Sequence, residues 1–93
     1  MQGMEAHEED ALLALLEMRE YEGTEEQFLH ESTSRIRTRL NCSGDAAMET
    51  LKELRDRKEV DFAITQGGKL AQDQDIPVAK WYWFIPQAIH GRQ

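Results

Sequence analysis

The stretch TSRIRTRLNCSGDAAMETLKELRDRKEVDFAIT, residues 33–65, decides the fold. Its middle, Asn41-Cys42-Ser43, is a short break between two segments with helical spacing. Upstream, Ile36 and Leu40 stand four apart on what becomes the inner side of a helix that opens at Ser32 or Thr33 and runs to Leu40. Downstream, Ser43 is a favourable N-cap, because its hydroxyl can accept an amide of the following first turn. The next helix runs from about Gly44 to Lys58, with Ala47, Leu51 and Leu54 as its core stripe and Met48 beside them. Val60, Phe62 and Ile64 then alternate with Asp61, Ala63 and Thr65, the period-two pattern of a half-buried strand.

Toward the N-terminus, Thr24-Glu25-Glu26-Gln27 fits a capping box and predicts a short helix through about His30, anchored by Phe28 and Leu29. One bent helix over Glu25 to Leu40 is the alternative. Before it, His7 to Tyr21 reads as the first helix. Ala11, Leu12, Leu15, Leu16 and Met18 share its apolar face, Leu13 lies off that stripe, and Glu8, Glu9 and Asp10 suit a helix N-terminus. Gly23 is a natural stop after Tyr21 and Glu22. Toward the C-terminus, Gln66-Gly67-Gly68-Lys69 turns the chain and a polar loop follows to Asp75. Pro77 then precedes a second strand, Val78 to Ile85, that Pro86 ends. Residues 7–86 thus make one domain, between a loose tail at 1–6 and a polar tail at 87–93.

Bulk composition narrows the function classes. Ninety-three residues hold a single small core and leave little room for a deep substrate cleft. The chain is 40% hydrophobic and 31% charged, as folded domains are, and its formal net charge of -7 opposes non-specific attraction to phosphates or anionic lipid. The one cysteine, Cys42, leaves no partner for an internal disulfide and excludes a multi-thiolate zinc site. The longest apolar run, Ala11 to Leu16, is too short to span a bilayer. A reducing cytoplasm or nucleus is the expected compartment. His7, His30 and His90 lack metal-ligand spacing, and no nucleophile elbow or phosphate loop is present. Neither an enzyme nor a bound cofactor or metal is expected.

Helix, tight turn, helix and hairpin, in that order, resemble the winged-helix branch of the helix-turn-helix proteins over residues 7–86. The resemblance implies a mainly α fold, three or four helices with a small antiparallel two-stranded β-hairpin as the wing. It also implies duplex DNA binding and a role in transcription regulation, with the second helix of the motif entering the major groove. Ile76-Pro77 ahead of Trp81 and Trp83 resembles the wing of Z-DNA-binding members, but Asp45, Ala46, Met48 and Glu49 stand where those carry a lysine-rich start, an asparagine and a tyrosine. That activity is not carried over.

Charge placement makes the function two-sided. At about 100° per residue, the face opposite Ala47, Leu51 and Leu54 carries Asp45, Glu49, Glu53 and Asp56, against Lys52 alone. Such a face repels phosphates. DNA binding would then rest on non-standard basic contacts, with Arg35, Arg37, Arg39, Lys52, Lys69 and Lys80 as the candidates. The alternative is a protein–protein interaction module, in which a partner or a second copy meets the acidic helix or the aromatic strand. Its candidate residues are Asp45, Glu49, Glu53, Asp56, Trp81 and Trp83.

Overall fold

The computed structural model describes residues 5–70 and 77–86, with backbone alone at 66–70, 77 and 78. Three helices, α1 (Ala6–Leu16), α2 (Glu25–Leu40) and α3 (Gly44–Asp56), pack on a sheet of β1 (Tyr21–Glu22), β2 (Asp61–Leu70) and β3 (Pro77–Phe84). The sheet order is β1-β3-β2, antiparallel throughout. Tyr21 pairs with Trp81 and Glu22 with Lys80 on one side of β3, while Phe62 pairs with Trp83 and Ile64 with Trp81 on the other.

The mainly helical fold with a small antiparallel sheet agrees with expectation, and the expected hairpin partners do pair. The sheet has three strands, however, not a two-stranded wing. The first helix starts at Ala6 and stops at Leu16, so neither the loose tail nor the helix has its expected bounds. Arg19 adopts a left-handed conformation (φ 59°) that no α-helix can contain, and Tyr21 and Glu22 are recruited by β3 instead. Gly23 therefore follows a strand, not a helix. Its φ of +152° suits glycine, and an added Cβ would stand 2.6 Å from Gln27 Oε1 and 3.0 Å from the Tyr21 ring.

Residues 25–40 form one helix, the alternative foreseen above. Thr24 caps it with the expected reciprocal box: Gln27 N–H donates to Thr24 Oγ1 (3.1 Å) and Thr24 N–H to Gln27 Oε1 (3.0 Å). Ser32 and Thr33 do not restart the helix, because their hydroxyls donate back to the carbonyls of Phe28 (2.7 Å) and Leu29 (2.9 Å). Asn41, left-handed at φ 55°, ends α2, and Ser43 opens α3 by accepting the Ala46 amide at 3.1 Å. The α3 helix ends two residues before the expected Lys58. The Glu59 amide donates to Leu54 O (2.9 Å) and the Lys58 amide to Arg55 O (3.0 Å), the paired bonds of a Schellman stop, with Lys58 left-handed at φ 62°. Gln66–Lys69 belong to β2, where the register with β3 shifts between Gln66 and Leu70, so they are not the turn itself. The polar loop, like the tails at 1–4 and 87–93, lies outside the described residues.

The core is built around Phe28. Its ring lies 5.1 Å from that of Trp83, 5.6 Å from Phe62, 5.9 Å from Trp81 and 6.1 Å from Tyr21. Ala11, Leu15 and Met18 from α1, Ile36 from α2, Ala47, Leu51 and Leu54 from α3, and Val60 complete the buried cluster. One polar chain runs through it. Trp83 Nε1–H donates to Ser32 Oγ at 2.8 Å, and the Ser32 hydroxyl in turn donates to the Phe28 carbonyl. The indole thereby keeps a hydrogen bond in a site from which water is excluded.

Candidate interaction surface

The α3 helix leans its Ala47–Leu51–Leu54 stripe on the core and turns the opposite side outward. Asp45, Glu49, Lys52, Glu53 and Asp56 are all exposed there. Lys52 Nζ lies 3.8 Å from Asp56, a loose (i, i+4) pair, whereas Asp45, Glu49 and Glu53 have no ion pair among the described residues. The acidic face expected from helical periodicity is thus present and largely uncompensated. Met48, expected next to the core stripe, is 59% exposed, the most exposed large apolar side chain of the described residues. Ala47, Leu51 and Leu54 already fill the contact with α1 and α2.

Two open grooves flank Met48, of about 530 and 520 Å³, and share Leu29 and Thr33 of α2 as their floor. The first also reaches Glu26, His30, Arg37 and Asp45. The second reaches Lys52, Arg55, Asp56, Lys58 and Asp61. Arg55 is held with its guanidinium carbon 4.7 Å from the centroid of the Phe62 ring, a cation–π contact that fixes one groove wall to the sheet.

The expected basic cluster does not assemble. Arg35 donates to Glu31 at 3.0 Å and Arg39 to Glu17 of α1 at 3.0 Å, both in the α1–α2 groove. Arg37 instead faces α3 across the first Met48 groove. Alternate positions on a helix diverge by about 200°, so three arginines spaced by two residues cannot line one stripe. Lys80 sits 3.8 Å from Glu20, and Lys69 falls where only backbone is described.

The aromatic strand is also spent internally. Trp83 is 5% exposed and Trp81, half-buried, donates its indole N–H to Gly23 O at 2.8 Å. Neither is the exposed anchor expected for a partner, because the strand alternation aims both at Phe28. Tyr82 and Phe84, 6.1 Å apart, occupy the other side of the sheet.

A further ion pair escaped sequence reasoning. Glu8 Oε1, on a side chain 7% exposed, accepts from Arg57 at 2.8 Å and from the Glu5 amide at 3.1 Å, linking the start of α1 to the end of α3. The Arg57 hydrogen bond, and after it the backbone bond at Glu5, hold the Glu8 carboxyl below its usual range; burial opposes them. Reciprocally, Glu8 raises the pKa of Arg57. No pattern links these two positions, since one caps a helix start and the other follows a helix end.

Among the described residues, no group of three or more His, Cys, Asp or Glu is placed to hold a metal ion. No described helix is long and apolar enough to cross a membrane. Comparison with protein families, curated proteins and solved structures finds no match.

Proposed function

We propose that this chain is a winged-helix domain that works as a protein-docking module, meeting a basic protein surface with the outward side of α3. The winged-helix assignment is supported by the helix–turn–helix of α2 and α3 and by the β1-β3-β2 sheet order. The docking reading is carried by one observation: the exposed side of α3 presents Asp45, Glu49 and Glu53 without ion-pair partners among the described residues, and Lys52 only as a partner of Asp56.

Duplex DNA binding through α3, which the order of elements suggests, requires cations where these carboxylates stand. The described cations compensate poorly. Arg35, Arg39 and Lys80 each have a carboxylate within 4 Å, leaving Arg37 as the sole member of the arginine set without an ion pair among the described residues. With Arg19, Arg55 and Lys58, which are exposed and also have no ion pair among the described residues, Arg37 makes four cations spread over several elements, a weak basis for phosphate contacts beside the acidic side of α3.

Titration of the isotope-labelled protein with a lysine-rich peptide, followed by amide NMR, tests the reading. Docking moves the signals of residues 45–56 first, weakens with added salt, and is lost in Glu49→Lys plus Glu53→Lys. Shifts scattered over the whole chain, or confined to the outer face of the sheet, would remove the support.

A further inference from the structure

We infer that two copies of this chain associate about a two-fold axis at Met48, with their α3 helices antiparallel and the grooves beside Met48 facing each other. This contact is independent of the docking reading above, because Glu49 and Glu53 line neither groove. Met48 is more than half exposed, although α3 completes its core contact through Ala47, Leu51 and Leu54. It stands between the two grooves, and Leu29 and Thr33 line both of them. Thr33 has turned its hydroxyl to Leu29 O, so the centre of this surface offers a methyl and two apolar side chains. An apolar centre with charged residues on either side is the anatomy of a protein interface.

Charge identifies what covers it. The groove at the N-terminal end of α3 sets Glu26 and Asp45 against Arg37, an excess of negative charge. The groove at the C-terminal end sets Lys52, Arg55 and Lys58 against Asp56 and Asp61, an excess of positive charge. The whole surface is balanced but polarised along α3, so a partner of one sign gains on one half what it loses on the other. The same surface turned end for end meets each excess with its opposite, whereas a parallel pairing sets like on like. About a two-fold at Met48, positions equidistant from the axis oppose each other. Asp45, one turn before Met48, then falls beside Lys52 of the second copy, one turn after it, and the pair occurs twice by symmetry. Lys52 is loosely held, 3.8 Å from Asp56 with both side chains exposed, so its ammonium keeps donors for a second carboxylate. Gly44 falls opposite residue 52 as well. A Cβ there would meet only Arg37 Cδ at 4.0 Å within the domain, so the bare backbone leaves room for the incoming lysine stem.

Sedimentation equilibrium at protein concentrations up to about 1 mM reads the association. The wild type should dimerise reversibly. Met48→Asp, at an exposed site that leaves the core intact, should abolish the dimer by placing two carboxylates on the axis. Asp45→Lys or Lys52→Asp alone sets like charges opposite each other and should weaken association about tenfold. Both changes in one chain restore opposite charges across the contact at unchanged net charge, and should return the dissociation constant to near the wild-type value. Mixing the two single variants should give a heterodimer tighter than either homodimer. Thermal melts of the dilute variants that match the wild type place any loss at the contact and not in the fold. A wild type that stays monomeric at the highest concentration overturns the contact. So does a dimer indifferent to Met48→Asp, or a double swap as weak as the single variants.

Discussion

Ser32→Ala should be one of the costliest single-atom deletions in this molecule. Ser32 is fully buried, and its Oγ accepts the only described hydrogen bond of Trp83 Nε1, in a side chain just 5% exposed. Alanine fits the same space, so the packing change is small. The Phe28 carbonyl that Ser32 Oγ contacts lies within α2, where the helix ladder still serves it. The cost is therefore the indole N–H left without a partner, about 1–3 kcal/mol. For a domain of this size that corresponds to a fall in Tm of about 4–8 °C per kcal/mol. Urea unfolding monitored by tryptophan fluorescence reads the value directly, and a double-mutant cycle with Trp83→Phe isolates the bond. Phenylalanine has no N–H to orphan, so Ser32→Ala should cost much less in the Trp83→Phe background. If Ser32→Ala alone changes stability by less than about 0.5 kcal/mol, the polar chain is not a constraint on the core.

Further outcomes follow from the caps and the buried ion pair. Lys58→Gly should stabilise the domain by about 0.5–1 kcal/mol in the same urea assay, since Lys58 is left-handed at φ 62° in the Schellman stop of α3. Gly23→Ala should destabilise by about 1–3 kcal/mol, because its Cβ would displace Gln27 Oε1 from the cap of α2. The folded-state pKa of Glu8 is lowered, so its ion pair contributes fully above the unfolded value, about 4.3, and its contribution is lost as pH falls through the lower folded value. Glu8→Gln should therefore be less stable than the wild type at neutral pH, with the gap closing in acid on a pH series of thermal melts.

Local signals made the two caps at Thr24 and Ser43, the core stripe of α3 and the alternation of β2 legible in the sequence, because each is set by neighbours a few residues apart. β1 was not legible. Two residues carry no period, and only the Trp81 and Lys80 backbones, far along the chain, make them a strand. Ser32 and Thr33 misled for a related reason: a hydroxyl that can cap a helix can equally bond back within one, and burial under Trp83 decides which. At the surface, the acidic side of α3 was readable from helical geometry. The pairing of Arg39 with Glu17 and of Arg57 with Glu8 was not, since both depend on how α1 packs. The exposure of Met48 also needed the fold, because an apolar residue next to a core stripe reads as core until the stripe is seen to be complete.

The most direct test of protein docking against nucleic-acid binding is an anisotropy titration of a labelled random-sequence duplex at low salt, where phosphate contacts are strongest. A domain whose α3 displays Asp45, Glu49 and Glu53, and whose Arg35 and Arg39 are held by carboxylates, should leave the duplex anisotropy unchanged at concentrations that saturate the lysine-rich peptide. Saturable duplex binding that Arg37→Ala weakens, with a salt slope reduced by about one, would contradict it.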